Sequence, residues 1–244
     1  MGELIAVLSG KGGTGKTSLC AGIACGLAQS GETVLCIDCD IGLRNLDISL
    51  GMAEAGALSF LDVSQGGYEL SQAAKHPVYD SLRFLTAPMG VTVGDMDEEA
   101  FLRMLQNARQ EYHYIFLDAP AGIDAGFQLA ARYANRILLV TGPDPAAVRD
   151  AERAGAALEL MGKADVRLIV NRINRKMISA MKLTVDDIMD EAGLPLLGIV
   201  PEDGNVTLAA AFGKPLLQQT RRGASAACRR IAKRIQGKFV PITL

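Results

Sequence analysis

The sequence predicts an α/β protein, a three-layer doubly wound sandwich on a mainly parallel sheet, and three observations predict it. Short apolar, β-branched segments alternate with longer stretches of helical pattern along the whole chain. Several of the short segments are continuous apolar runs, such as Ile137-Leu138-Leu139-Val140, as a parallel strand covered by helices on both faces requires. The first of them runs straight into a glycine-rich loop and then a helix, the context of a phosphate-binding P-loop.

In chain order, the first strand is expected over Glu3 to Leu8 (Leu-Ile-Ala-Val-Leu), and a helix follows over Lys16 to Gln29. A second strand over Thr33 to Asp38 ends in a carboxylate, and a third spans Ser81 to Thr86. A helix over Glu98 to Glu111 leads to a strand over Tyr114 to Asp118, again closed by a carboxylate. The apolar strand over Arg136 to Thr141 precedes a helix over Asp144 to Met161. Strands over Val166 to Asn171 and Pro195 to Val200 flank a helix over Val185 to Ala192. No Pro- or Ser-rich linker, repeat or low-complexity stretch interrupts the order, so residues 1–244 read as a single domain. In this architecture ligands sit beyond the carboxyl ends of the strands.

Composition agrees with a globular chain that has a sizeable core: 49% of residues are apolar, 21% are charged and tryptophan is absent. Disorder is excluded, because disordered chains combine low hydrophobicity with high charge. No apolar run approaches the roughly 20 residues that span a bilayer. The apolar N-terminus breaks at Gly10 and lacks the basic start and cleavage site of a signal peptide, so it reads as a buried strand. An odd count of five cysteines argues against a disulfide framework and for a reducing compartment. Cys36 and Cys39 form a C-x-x-C with no second pair or histidine cluster nearby. A structural role is the favoured reading, with ligand or redox use as the alternative. Charge is distributed unevenly. The first 203 residues carry 17 basic and 27 acidic groups, whereas from Lys214 onward there are eight basic and none acidic. Such a split marks either contact with an acidic surface or a solvated helix face.

The strongest motif is Gly10-Lys11-Gly12-Gly13-Thr14-Gly15-Lys16-Thr17, followed by Ser18. Glycines let backbone N–H groups turn inward around phosphate oxygens. Lys16 adds a point charge at the β- and γ-phosphates, the Thr17 hydroxyl can ligate Mg²⁺, and the helix opening near Gly15 aims its positive end at the same anions. Asp38 and Asp40, at the end of the second strand, are suited to Mg²⁺ and water. Asp118 ends an apolar strand as a Walker B carboxylate does and would hold Mg²⁺ through water. His76 and His113 stand outside these motifs, and neither carries a catalytic role; no Gly-x-Ser-x-Gly element supports a serine hydrolase.

Lys11 narrows the class, since a plain P-loop has no need of it. The run Lys-Gly-Gly-Thr-Gly-Lys-Thr resembles the deviant Walker A motif of the MinD/ParA ATPase family, and Asp40-Ile41-Gly42-Leu43-Arg44-Asn45-Leu46-Asp47 resembles the segment of its MinD branch. The resemblance runs from Leu4 to about Pro241. It implies a Mg-dependent ATP hydrolase in which the extra lysine, Lys11, contacts the nucleotide of a dimer partner. Asp40 would position the attacking water and Asp38 would support the metal. Asp118-Ala119-Pro120-Ala121-Gly122 resembles the family's switch II, whose glycine frees a backbone N–H to sense the γ-phosphate. Asn171 would hydrogen-bond adenine, with Arg172 packed nearby and Pro201-Glu202-Asp203 forming the adenine-side loop. No Asn-Lys-x-Asp element reads guanine, so ATP is expected over GTP.

The same resemblance implies a homodimer with ATP, a MinC-like division inhibitor as partner and a MinE-like activator in some bacteria. Ala147-Val148-Arg149-Asp150 resembles the partner-docking helix. Localisation would be cytoplasmic and peripheral on the inner face of the cell membrane. The bulky amphipathic tail that targets MinD-type proteins to membranes is missing where it would begin, near Phe239 to Leu244, whether trimmed or never encoded. The preceding Arg221 to Lys238 stretch is basic, with Ala224, Cys228, Ile231 and Ile235 at helical spacing. It is expected to be a final core helix, with an anionic membrane surface as its alternative contact. ParA-like partition and FlhG-like positioning ATPases are the alternative functions, the former using such a stretch on DNA. The Arg44 to Asp47 run argues against both, and a nucleic-acid partner is not expected. An iron-protein role lacks its cysteines, since none lies between Cys39 and Cys228.

Overall fold

The computed structural model describes residues 1–243, and in it one sheet of eight strands carries the whole chain. The strands are β1 (Glu3–Leu8), β2 (Val34–Asp38), β3 (Ala74–Lys75), β4 (Leu82–Leu85), β5 (Tyr114–Asp118), β6 (Arg136–Thr141), β7 (Val166–Ile173) and β8 (Leu196–Pro201). Their order across the sheet is β3-β4-β2-β5-β1-β6-β7-β8. Every neighbouring pair is parallel except the two-residue edge strand β3, which runs antiparallel to β4. The helices are α1 (Lys16–Gln29), α2 (Leu46–Leu50), α3 (Phe60–Ser64), α4 (Glu98–Glu111), α5 (Ala125–Tyr133), α6 (Pro145–Leu160), α7 (Arg175–Met181), α8 (Val185–Ala192), α9 (Asn205–Ala211), α10 (Leu216–Gln219) and α11 (Gly223–Ile235).

Side chains that alternate along each strand build a core on each face. Leu4, Ala6 and Leu8 of β1 join Ile115 and Leu117 of β5 beneath α4, α5 and α6. Ile5, Val7 and Phe116 face the other way, toward α1 and α11. A third cluster holds α8 against β7 and β8 through Ile188, Leu168 and Ile199. Each fully buried large side chain here contributes about 1.5–3 kcal/mol from removal of apolar surface. Helix α1 is buried on nearly every side, from Leu19 to Ala28, because α11 closes over it. Gly22 permits that approach: a Cβ there would lie 2.7 Å from Cys228 Sγ.

Helix α11 lies within the basic Arg221 to Lys238 stretch and buries Ala224, Cys228, Ile231 and Ile235, as a core helix does. All five cysteines are free and buried, and burial pushes the Cys36 and Cys39 thiols well up. That environment fits structural cysteines rather than reactive ones. No helix among the described residues is long and apolar enough to cross a membrane.

The parallel registers fix the site. Val7 of β1 and Asp38 of β2 both pair with Asp118 of β5. The carboxyl ends of these three strands are therefore level, and the loops leaving them converge.

Candidate functional site

The P-loop joins β1 to α1, and its backbone is shaped by its neighbours. Gly15 caps α1 in the left-handed region (φ +87°), and a Cβ there would lie 2.3 Å from the Asn171 amide nitrogen. A Cβ on Gly10 would lie 2.2 Å from the Asp150 carbonyl, so the loop's first residue rests on α6. By contrast, a Cβ on Gly12 or Gly13 would meet nothing within 4 Å. The loop is thus clamped at both ends and open along its middle. A cavity of about 280 Å³ lies over that middle, lined by P-loop residues 12–18 together with Ser9, Asp40, Asn45, Ser49 and Ala121.

At the root of this cavity Lys16 Nζ donates to Asp118 Oδ1 at 2.8 Å, with both side chains buried, and also approaches Thr17 Oγ1 at 3.3 Å. Burial raises the Asp118 carboxyl above its usual range against the pull of Lys16. Asp38 is raised to about 7, first by burial and then by Asp118 across the strand pair, in spite of two backbone hydrogen bonds. Those bonds come from Asp40 N–H to Oδ1 at 2.9 Å and Leu46 N–H to Oδ2 at 3.2 Å. Asp38 therefore folds the loop that presents Asp40 to the cavity. Gly122 N–H, assigned above to the γ-phosphate, donates here to the Ser9 carbonyl at 3.0 Å.

A second cavity, of about 320 Å³, shares Gly15, Ser18 and Arg172 with the first and is also lined by Asn171, Pro201, Glu202 and Asp203. Strand β7 does not end at Asn171 but continues to Ile173 through a register shift, and Arg172 within it takes a left-handed φ of +56°. Bulky residues adopt that region only where surroundings impose it. The Asn171 amide donates to the Thr14 carbonyl at 2.7 Å, so it also holds the P-loop. Asp203 accepts from Asn205 N–H (2.9 Å) and Ala224 N–H (3.0 Å), which ties the Pro201-Glu202-Asp203 loop to α11.

Lys11 points away from the cluster. It does not line the cavity of residues 12–18; its Nζ lies 3.4 Å from Asp144 Oδ1, and the side chain is 44% exposed. Asp144 also caps α6, accepting from Ala147 N–H at 3.0 Å. Sequence reasoning placed the helix start at Asp144 but missed its bond to Lys11; an Asp before Pro at a helix start signals a cap, whereas nothing local signals the lysine. Asn45 and Ser49 were missed for the same reason, since α2 is too short to show a helical repeat.

The residues present fit a nucleotide triphosphate with Mg²⁺. The glycines leave an open cradle, the Ser9 and Thr14 hydroxyls are buried without a protein partner, and burial raises the Asp38 and Asp118 carboxyls. Among the described residues no three His, Cys, Asp or Glu side chains could hold a metal by themselves. A P-loop Mg²⁺ instead shares its ligands with the phosphates, which suits Thr17, Asp38 and Asp118.

Fold and site together define a P-loop nucleotide-binding protein. The family model of the CobQ/CobB/MinD/ParA nucleotide binding domain matches residues 5–216. The septum site-determining protein MinD of Bacillus subtilis is 38% identical over 247 residues, covering 99% of this chain and 92% of that protein. MinD in a MinC:MinD cell division complex from Aquifex aeolicus superimposes with a TM-score of 0.91 at 36% identity, over 99% of this chain and 98% of that one. MinD from Pyrococcus horikoshii, complexed with Mg-ADP, gives 0.81 at 25% identity, with 96% of each chain covered. The chain belongs to the MinD/ParA family of ATPases, within its septum site-determining MinD branch.

The raised Asp38 carboxyl sets a pH dependence. Because the folded chain holds this proton more tightly than the unfolded chain, stability is greatest below the ordinary carboxylate range and falls as pH rises toward about 7. Urea unfolding of the ligand-free protein between pH 4.5 and 8 (about 1.4 kcal/mol per pH unit at most from one proton) should show this decline. Asp38→Asn should flatten it, and an unchanged slope would remove Asp38 as its source.

Proposed function

We propose that the chain is an ATP-dependent dimerising switch in division-site placement, which recruits a MinC-like inhibitor when ATP is bound and is reset by hydrolysis. The observation that carries this reading is the position of Lys11. It is the lysine of the P-loop that stands outside its own phosphate cavity, half exposed, where a second subunit could receive it. Leu43, Met89 and Ile123, at 70%, 76% and 45% exposure, are apolar residues in the loops that follow β2, β4 and β5, and so give a partner something to cover.

In this reading P-loop N–H groups and Lys16 bind the phosphates of ATP, and Asn171, Arg172 and the Pro201-Glu202-Asp203 loop bind its base. Mg²⁺, when bound by Thr17, Asp38 and Asp118, supplies charge neutralisation at the phosphate oxygens. Asp40 orients the water that attacks the γ-phosphorus, while Lys16 and the partner's P-loop lysine neutralise the charge that develops. ATP favours the dimer, partners bind that dimer better, and hydrolysis removes the bias. The complex of MinC with the Aquifex relative supports the choice of inhibitor.

Light scattering tests the switch. Lys11→Ala should bind nucleotide yet remain monomeric with ATP, and Asp40→Ala should accumulate as an ATP dimer with slowed turnover. A Lys11→Ala dimer would refute the role of Lys11, and unchanged turnover in Asp40→Ala would remove Asp40 from the chemistry.

Peripheral membrane association is the second part of the proposal. It rests on the basic Arg221 to Lys238 stretch and on Phe239, which is 95% exposed. Pelleting with anionic vesicles in ATP but not ADP is expected, and no pelleting in either nucleotide would confine this chain to the nucleotide switch.

A further inference from the structure

His76, outside the site, is fully buried, and three hydrogen bonds surround its ring. Nδ1 accepts from Val78 N–H at 3.0 Å and Tyr79 N–H at 3.2 Å. An imidazole nitrogen that accepts carries no proton, so the proton sits on Nε2. Nε2–H in turn faces the Leu50 carbonyl at 2.9 Å. The backbone of His76 is fixed too, since its N–H donates to Leu82 O of β4 at 3.0 Å. Tyr79 stacks on the ring at 4.9 Å in a tilted arrangement. Burial holds the ring below its usual pKa, against the pull of the Leu50 carbonyl, and this keeps it neutral.

Leu50 is the last residue of α2, a helix of only five residues. Isolated helices of that length do not persist in water, and their last carbonyls lack helical partners. Helix α2 is held instead from outside at both ends. Asp38 receives the N–H of Leu46 at its start, and His76 donates to the carbonyl at its finish. Between Asp38 and α2 lies the loop carrying Asp40, with Gly42 at φ +131° and Arg44 at φ +45°, a conformation the loop does not favour by itself. Helix α2 and its cap bring Ser49 and Asn45 to the phosphate cavity.

We infer that His76 is a positioning residue for the ATPase site: by holding α2 at Leu50, it sets where the Asp40 loop and Ser49 stand over the phosphates. The inference rests on the ATP-hydrolysis reading above. It assigns a role to a residue that touches neither nucleotide nor reacting water, and it links the edge of the sheet at β3 and β4 to the catalytic loop.

Two substitutions separate the bonds. His76→Asn keeps an acceptor where Nδ1 stood, for Val78 and Tyr79, but is too short to reach Leu50. His76→Gln can reach Leu50 with its amide N–H but leaves the turn N–H groups without their acceptor. In His76→Asn, kcat should fall about tenfold, as a small misplacement of a catalytic group can cause. Affinity for ADP, which depends on the P-loop, should change little. His76→Gln should retain most of the wild-type kcat, although both variants lose stability. Equal kcat in the two variants, whether lowered or not, overturns the inference, because a purely structural role predicts no such split.

An independent measurement uses the unmodified protein. The chain has two histidines, and His113, exposed and paired with Glu32 ahead of β5, lies at the far end of the strands and serves as control. On addition of Mg·ATP the imidazole ¹⁵N–¹H signal of His76 should shift while that of His113 stays. A His76 signal that ignores Mg·ATP in protein that hydrolyses it also overturns the inference. If the wild-type protein bound ATP without hydrolysing it, the functional reading would fall first and this inference with it.

Discussion

The buried ion pair between Lys16 and Asp118 is the interaction on which the arrangement of this site depends. It joins the first residue of α1 to the last residue of β5 at 2.8 Å, in a place that water hardly reaches. Such a pair is weak evidence for stability, since desolvation offsets most of its attraction. Its effect lies in placement. It draws the helix start over the end of the neighbouring strand, and it concentrates one positive and two negative groups at the root of a cavity, because Asp38 stands beside Asp118 in the sheet register. Asp38 is raised first by burial and then by Asp118 beside it, and Asp118 is raised by burial against the pull of Lys16. A nucleotide phosphate and a divalent cation would satisfy the partners separately, the lysine with the anion and the carboxylates with the metal.

The other contacts of the site follow from keeping the loop above this pair open. Asn171 secures Thr14 from one side, α6 supports Gly10 from another, and neither intrudes on Gly12 or Gly13. Asp38 ties the Asp40 loop by two backbone N–H groups, and His76 ties the short helix beyond it. The P-loop and the Asp40 loop are thus each held at their ends by contacts from neighbouring elements. Lys11 belongs to the same loop but faces outward to Asp144, so the two lysines of the loop stand in different surroundings, one exposed and one buried.

Much of this was legible in the sequence, for physical reasons that can be named. The parallel strands are apolar throughout because both faces are buried, so the runs at Ile115 to Leu117 and Ile137 to Val140 stood out. Helix α1 was expected over Lys16 to Gln29, opening from the P-loop, and it spans those residues. The P-loop and strand-end carboxylates announced themselves because phosphate and metal chemistry constrains residue type and spacing together. What escaped was tertiary. Helices α2, α3, α7, α9 and α10 have four to seven residues each, too few to display a repeat. The continuation of β7 through Arg172 depends on a register shift against β8, which no local pattern encodes. The Lys11 to Asp144 contact and the His76 tether join residues 133 and 26 positions apart, and no local pattern signals either contact. His76 in particular read as inert because it lies outside every motif, and its partners are brought to it only by the fold.

Calorimetric titration of ATP with and without Mg²⁺, for the wild type and Asp118→Asn, tests the central claim most directly. If the Lys16–Asp118 pair is where anion and metal separate, Mg²⁺ should tighten ATP binding in the wild type. Asp118→Asn should then bind Mg-free ATP at least as well, because Lys16 is released, while losing most of the enhancement by Mg²⁺. An equal Mg²⁺ enhancement in both proteins would contradict the account, since the carboxylate beneath the P-loop would then have no part in holding the metal.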